Sequence, residues 1–251
     1  MGDIMGLSAS PADEDFVSLW RERRPATYRI ADKGRVVRGS RYTYRRTSCP
    51  PTYPVAKRIM DVVGAGLALL CLAPVMIAIA LAIKLTSRGP VLFRQRRYGY
   101  HNHRFRIYKF RTMYVHLGDV TGTRQTTERD PRVTPVGRFL RATSLDELPQ
   151  LINVLIGEMS LVGPRPHVPG MLAAERLYED LIPYYFHRHL MRPGITGLAQ
   201  VSGCRGSTVQ ANAAMDRIDH DLAYIEKWSL WLDVRIILLT IRRELVGGNG
   251  S

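Results

Sequence analysis

The order of apolar and polar positions divides the chain before any other property is consulted. From Val62 to Ile83 there are 22 residues without a charge, ~33 Å of α-helix, enough to match a bilayer core about 30 Å thick. Pro74 stands near the middle, where it removes a helix hydrogen bond and predicts a break or kink. Cationic residues flank the run on both sides: Arg45, Arg46, Lys57 and Arg58 before it, Lys84, Arg88, Arg94, Arg96 and Arg97 after it. The positive-inside rule keeps such residues cytoplasmic. A straight crossing strands one cluster outside, whereas a helix-break-helix hairpin keeps both inside. The reading therefore places the re-entrant hairpin first, a kinked single crossing second and a buried helix of a soluble protein third.

Elsewhere the pattern is mixed. Phe105, Ile107 and Lys109 alternate with Arg104, Arg106 and Tyr108, predicting a short strand that ends near Phe110 and Arg111. Gly118 to Pro135 reads as a loop. Leu148, Leu151, Ile152, Leu155 and Ile156 keep helical spacing, predicting a helix that begins near Ser144 and stops at Gly157. Further helices are expected from Met171 to about Leu181 and from about Met215 to Leu245. Leu230 to Ile241 within the latter is apolar but carries Asp233 and Arg235. Packing on the domain is the first reading for it. A place at the membrane interface, suited to Trp228 and Trp231, is the second. The sum is a mainly α chain with a few short strands.

Composition sharpens the choice of partner. Lys and Arg number 36 against 22 Asp and Glu, for a net charge of +14 over 251 residues. That balance favours anionic partners: nucleic acid, an anionic bilayer surface or phosphorylated substrates. Residues 1 to about 50 lack apolar periodicity and are rich in arginine, predicting a basic, flexible extension. Cys49, Cys71 and Cys204 form neither a disulfide framework nor a zinc pattern, so a reducing compartment is expected. Asp13, Glu14 and Asp15 stand where a secretory signal would be apolar.

Candidate chemistry begins at Ser144-Leu145-Asp146-Glu147-Leu148-Pro149-Gln150. Ser144 with Glu147 reads as a capping box, with both acids in a helix's first turn. Adjacent carboxylates also suit a nucleophile or Mg²⁺, which one or two carboxylates hold together with substrate phosphates. Arg132, Arg138 and Arg141 stand nearby to neutralise a diphosphate. In Gly163-Pro164-Arg165-Pro166 the prolines preset the backbone of Arg165 for aiming at an anion. Arg192-Pro193-Gly194-Ile195-Thr196-Gly197 reads as a turn, with Pro193 and Gly194 at the centre of a type II turn.

Together these segments resemble the bacterial sugar transferase family, the monotopic phosphoglycosyl transferases. The resemblance is carried by Lys57-Arg58-Ile59-Met60-Asp61, the apolar run with Pro74, Tyr108-Lys109-Phe110-Arg111-Thr112-Met113, Asp130-Pro131-Arg132-Val133-Thr134, the Ser144 to Gln150 stretch, Gly163 to Pro166 and Arg192 to Gly197. It spans roughly Val55 to Glu244 and is closest to the small form of the family. It implies a re-entrant membrane hairpin over 55–89 and a cytosolic catalytic domain with interfacial amphipathic helices over 90–251, after an extension over 1–54. It implies transfer of a hexose 1-phosphate from a UDP-sugar to undecaprenyl phosphate, releasing UMP, to initiate exopolysaccharide, capsule or O-antigen synthesis. Gly197 to Gly203 looks more like members that move glucose or galactose phosphate.

The resemblance further implies a catalytic dyad of Asp146 and Glu147, Mg²⁺ held there, and Asp146 as the nucleophile. Arg165, Arg141, Arg111 and Arg192 are the phosphate-binding candidates. Pro74, Lys57, Arg58 and Asp61 are assigned to the hairpin and its anchoring at the interface. The site is expected on the cytoplasmic face of the bacterial inner membrane, against membrane lipids, with a homo-oligomer left open and no nucleic acid bound. The rival class is a non-catalytic, membrane-tethered basic protein that binds nucleic acid or anionic lipid.

Overall fold

The computed structural model describes residues 29–31, 35–37, 54–117, 130–204 and 211–247. The expected extension over 1–54 and the expected loop from Gly118 to Pro135 therefore lie largely outside the described residues. Strands β1 (Arg29–Ala31) and β2 (Arg35–Val37) pair antiparallel within the extension.

Helix α1 (Val55–Thr86) absorbs the apolar run and 32 residues in all. Its backbone stays helical across Pro74, so of the expected break or kink only a kink is compatible with the observed element. Proline denies the helix a single N–H, and the turns on either side hold their own bonds. Lys57, Asp61, Ala65, Ile79 and Ile83 fall on one buried stripe, while Leu67, Leu70, Ile77, Leu81 and Leu85 are more than half exposed. Among the described residues it is the one helix long and apolar enough to cross a membrane.

Both ends of α1 are fastened to the same domain. At the start, the Lys57 ammonium donates to the Val162 carbonyl at 3.0 Å and pairs with Asp233 at 2.6 Å. Asp61 Oδ1 accepts from Ser160 Oγ and the Leu161 amide. Arg58 donates to the carbonyls of Val154 and Leu155. At the far end, Ile79 and Ile83 pack with Phe110 and Leu140. Lys57, Arg58 and Asp61 thus anchor α1 to protein, with Lys57 and Asp61 fully buried, rather than to the lipid interface expected for them.

Strand β3 (Leu92–Tyr98) pairs antiparallel with β4 (Arg104–Phe110), from Leu92 opposite Phe110 to Tyr98 opposite Arg104. The alternation of Phe105 and Ile107 foretold β4; β3, with two apolar residues in Leu92–Arg97, carried no such signal. Helix α2 (Pro135–Ala142) starts on a Thr134 cap, whose hydroxyl accepts from the Gly137 amide. Helix α3 (Gln150–Ile156) ends at Gly157 in the left-handed conformation, φ 90°, as expected of that glycine.

Beyond α3 the chain departs from three expectations. Strand β5 (Ser160–Val162) runs parallel to β8 (Gly194–Thr196). Gly194 is therefore the first residue of a strand and not the centre of a type II turn, which would need a positive φ there. A Cβ on Gly194 would lie 2.1 Å from the Gly163 nitrogen, so both glycines serve close contact between the strands.

The helix expected from Met171 to Leu181 is instead a hairpin of β6 (Leu172–Ala173) and β7 (Arg176–Leu177), followed by the single turn α4 (Tyr178–Leu181). Ala174 and Glu175 at its tip both have positive φ, 48° and 63°, so the backbone reverses where a helix would continue.

After α5 (Leu198–Val201), the single helix expected from Met215 to Leu245 is two: α6 (Ala211–Glu226) and α7 (Leu230–Gly247). Ser229 separates them, its hydroxyl accepting from the Leu232 amide in the manner of an N-cap. Leu232, Ile236 and Leu239 of α7 are buried with Val162, Leu198 and Tyr224, as the core-packing reading held. The opposite side of α7 leaves Trp231, Leu238 and Ile241 more than half exposed.

Candidate active site

Asp146 and Glu147 occupy a 3-10 turn, Leu145–Glu147, between α2 and α3. Ser144 ahead of it is left-handed, φ 55° and ψ 11°, and its side chain caps nothing. The expected capping box is therefore absent, and the dyad precedes α3 instead of lying in its first turn. Tertiary packing decides this: Leu145 and Leu148, stacked three residues apart in the tight turn, pack against the cluster of Ile79, Ile83, Phe110 and Leu140. Glu147 finds cations in place of the Ser144 amide.

Glu147 Oε1 accepts from the Lys109 ammonium at 2.7 Å and from Arg165 Nη2 at 2.6 Å, while Oε2 accepts from Arg165 Nη1 at 3.2 Å. Burial alone would raise its pKa, but Arg165 first and Lys109 next hold it well below the usual carboxylate range. Arg165 is in turn raised by Glu147. Asp146 is only 8% exposed, and its nearest cation, Lys109, stands 3.9 Å away. Its pKa is pushed up, by burial first and also by Glu147, against the pull of Lys109, Arg141 and Arg165. The two acids thus differ: Glu147 is a counter-ion held by two cations and kept ionised by them, and Asp146 is a less encumbered carboxyl with higher basicity.

Arg141 reaches the site from the end of α2, its Nε donating to Thr112 Oγ1 at 2.9 Å. Arg97 enters from β3, donating to Gln95 Oε1 at 2.7 Å and acting electrostatically on Arg165 and Glu147. Burial first, then repulsion from Arg165, brings Arg97 down to about 10. Among the described residues, Lys109, Arg141 and Arg165 are therefore the cations acting on Asp146, Arg97 is coupled to Arg165 and Glu147, and a third acid, Glu244, acts on Arg165. Arg132 is committed elsewhere, to a buried ion pair with Asp130 made through Nε and Nη2.

Of the arginines expected to bind phosphate, Arg165 and Arg141 converge on the dyad. Arg111 does not: its guanidinium turns to the carbonyls of Ser87 and Arg88, closing the exit of α1. Arg192 lies half-buried just before β8 and is not among the main charges acting on either acid. Lys109 and Arg97 were not singled out as site residues. Lys109 carried a readable signal, since it is in phase with the inward Phe105 and Ile107, where an ammonium needs an acid partner. Arg97, one of several arginines in β3, carried none.

No group of three or more His, Cys, Asp or Glu side chains fit to hold a metal occurs among the described residues. The dyad nevertheless suits Mg²⁺, which takes few protein carboxylates and completes its shell with phosphate and water. Asp146 makes no close hydrogen bond to a cation, and Glu147 Oε2 accepts a single described bond, so each retains a lone pair for the ion.

The sequence profile of the bacterial sugar transferase family matches residues 52–247. A Komagataeibacter xylinus protein named undecaprenyl-phosphate glucose phosphotransferase is 52% identical over 193 residues, which are 77% of this chain and 36% of that protein. The exopolysaccharide production protein PSS of Rhizobium leguminosarum bv. phaseoli is 51% identical over 196 residues, 78% of this chain and 98% of its own. The UDP-glucose:undecaprenyl-phosphate glucose-1-phosphate transferase of Escherichia coli K12 is 51% identical over 190 residues, 76% of this chain and 40% of that protein. The chain thus matches well under half of the first and third relatives and nearly all of the second.

Proposed function

The chain belongs to the bacterial sugar transferase family, and from that premise we propose that it moves a hexose 1-phosphate from a UDP-sugar to undecaprenyl phosphate, releasing UMP. The observation that carries this reading is the charge imbalance at the dyad. Lys109, Arg97, Arg141 and Arg165 outnumber Asp146, Glu147 and the Glu244 that acts on Arg165 by one, and a sugar nucleotide's diphosphate supplies negative charge to meet that excess. Glucose or galactose is the favoured sugar, the relatives above being named for glucose in two cases.

Chemistry follows from the unlike acids. A carboxylate oxygen of Asp146 attacks the phosphorus that bears the sugar, and the bond to the UMP oxygen breaks, so UMP departs with the electron pair. An acyl phosphate linked to the sugar remains on Asp146. An oxygen of undecaprenyl phosphate then attacks the same phosphorus, and the carboxylate leaves unchanged. No proton need move in either step. Glu147 cannot substitute as nucleophile, because Arg165 and Lys109 hold it in place and lower its basicity. It serves to orient those two cations toward the phosphate. Bound Mg²⁺, held by Asp146 and Glu147 with the diphosphate, would supply charge neutralisation.

The exposed apolar side of α1 supports a lipid acceptor. α1 exposes an apolar side of Leu67, Leu70, Val75, Ile77 and Leu81 while both its ends rest on the catalytic domain. The reading is a re-entrant insertion that enters and leaves on the cytoplasmic face. Trp231, Leu238 and Ile241 of α7 then lie at the interface. The test is a burst experiment: purified protein, UDP-glucose or UDP-galactose and Mg²⁺, without lipid acceptor. A stoichiometric release of UMP that vanishes in Asp146→Asn is expected. Absence of a burst, with full steady-state activity kept in Asp146→Asn, would defeat the covalent route in favour of direct transfer.

A further inference from the structure

Arg188, in the 3-10 turn Tyr185–Leu190, is among the largest fully buried side chains of the described residues. Its guanidinium makes two kinds of bond. Nε and Nη2 donate to Asp221 Oδ2 at 3.0 and 2.5 Å, and Nη2 also donates to the main-chain carbonyl of Arg165 at 2.6 Å. Asp221, on α6, is 1% exposed. Neither residue belongs to the charged group around the dyad. We infer that Arg188 and Asp221 form a positioning pair for the transfer reaction, acting through the backbone of Arg165.

Four consecutive carbonyls of the segment that presents Arg165 are each held by a donor from another part of the chain. Pro164 accepts from the Gly194 amide at 2.9 Å, Arg165 from Arg188, Pro166 from Arg97 Nη1 at 3.4 Å, and His167 from the Tyr98 amide at 3.0 Å. The prolines fix torsions, but torsions alone do not fix where the loop sits. The shortest of the four bonds is the one under Arg165 itself, and it comes from a charged donor, the stronger kind. Arg165 then meets Glu147 with both terminal nitrogens, a geometry that tolerates little displacement of its Cα.

Stability is a poor explanation for this pair. Burying two charges costs several kcal/mol of lost hydration, and an apolar pair of equal volume often does as well. Nη1 of Arg188 is moreover buried without a hydrogen-bond partner, a further cost. What an apolar pair cannot do is hold a carbonyl at one position. Nη2 serves Asp221 and the Arg165 carbonyl together while Nε adds a second bond to Asp221; lysine, with one nitrogen on a shorter stem, cannot reproduce all three, so lysine at 188 is not equivalent.

The inference rests on the transfer reading, and a double-mutant cycle separates the two. With kcat/KM for UMP release as readout, Arg188→Lys is expected to lose ~10-fold or more in the native background. In an Arg165→Lys background the same change should cost less than about 3-fold, since the side chain it positions is already compromised. Asp221→Asn, nearly isosteric, should show the same non-additivity and carries the cycle if Arg188→Lys does not fold by circular dichroism. Equal fold-losses in both backgrounds, or native kcat/KM in Arg188→Lys, would overturn the positioning pair. A native protein that releases no UMP from any UDP-sugar would instead defeat the transfer reading.

Discussion

Lys57 and Asp233 are 176 positions apart in sequence, and their side chains meet at 2.6 Å with no solvent exposure on either. Asp233 also accepts from Tyr224 Oη at 2.6 Å and from Trp228 Nε1 at 3.1 Å. The first turn of the long apolar helix is thereby bolted to α6 and α7, so under the proposed membrane insertion the depth of α1 and the height of the dyad would shift together.

Removing one partner leaves the other charged and buried, a loss of about 3–5 kcal/mol. Lys57→Met is therefore expected to lower the thermal midpoint of the detergent-solubilised protein by several degrees or more. Asp233→Asn should do likewise, and the double variant should lose less than the sum. Scanning fluorimetry on the three variants measures this; strictly additive losses would mean the two side chains are not coupled.

Glu147→Gln keeps the shape of the acid but takes the counter-ion away from Arg165 and Lys109. The expected loss in kcat/KM is ~10²–10³-fold, the scale of one misaimed electrostatic group at a transferring centre. Lys109→Met should fall in the same range. UMP release under saturating lipid acceptor is the measurement, and a Glu147→Gln enzyme within a few-fold of native activity would contradict the role given to Glu147.

A Cβ at position 137 would stand 2.0 Å from the Thr112 carbonyl oxygen, which is backbone and cannot swing away. Gly137→Ala is expected to cost roughly 1–3 kcal/mol or more and, because Thr112 Oγ1 holds Arg141, to reduce activity as well. Gly66→Ala, where nothing lies within 4 Å, should leave both unchanged or gain slightly. Paired melting and activity assays distinguish the two sites.

His189 is neutral in the fold, brought down to about 3 by burial first and by Arg188 next, and His167 is lowered well below its ordinary value by burial, Arg188 and Arg217. Both take up protons in the unfolded chain near pH 6.5. Protons therefore favour unfolding below that value. Stability should be full above about pH 6.5 and decline as the pH falls toward 3, by on the order of a few kcal/mol at pH 4. Urea midpoints at pH 7.5, 6 and 5 check it; replacing His189 with Gln should flatten the decline.

Val55 is 75% exposed at the start of α1, and Ser87 follows its end. A re-entrant helix puts both on the cytoplasmic side. Cysteines placed at 55 and 87, in a background with Cys49, Cys71 and Cys204 replaced by serine, should resist an impermeant thiol reagent in intact cells and react after lysis. Labelling of either one from outside would leave a single crossing as the topology.

Much of the molecule was legible where a feature depends on near neighbours in sequence. The uncharged run from Val62 to Ile83 dictates a long helix whatever surrounds it, Phe105 and Ile107 announce a strand by their period, and Gly157 ends a helix because it alone accepts φ 90° cheaply. Asp146, Glu147, Arg165 and Arg141 were recognisable from their motifs. Only tertiary structure turned the capping box at Ser144 into a left-handed bend, split the final helix at Ser229 and made a hairpin of Leu172 to Leu177. It also brought Lys109 and Arg97 to the dyad, sent Arg111 to the end of α1 and set Arg188 beneath Arg165. Hydrophobic period and glycine conformation act through bonds a few residues long. The partner of a buried charge is chosen by whichever opposite charge or carbonyl the completed packing leaves within reach, because burying that charge alone would cost more than the fold has to spare.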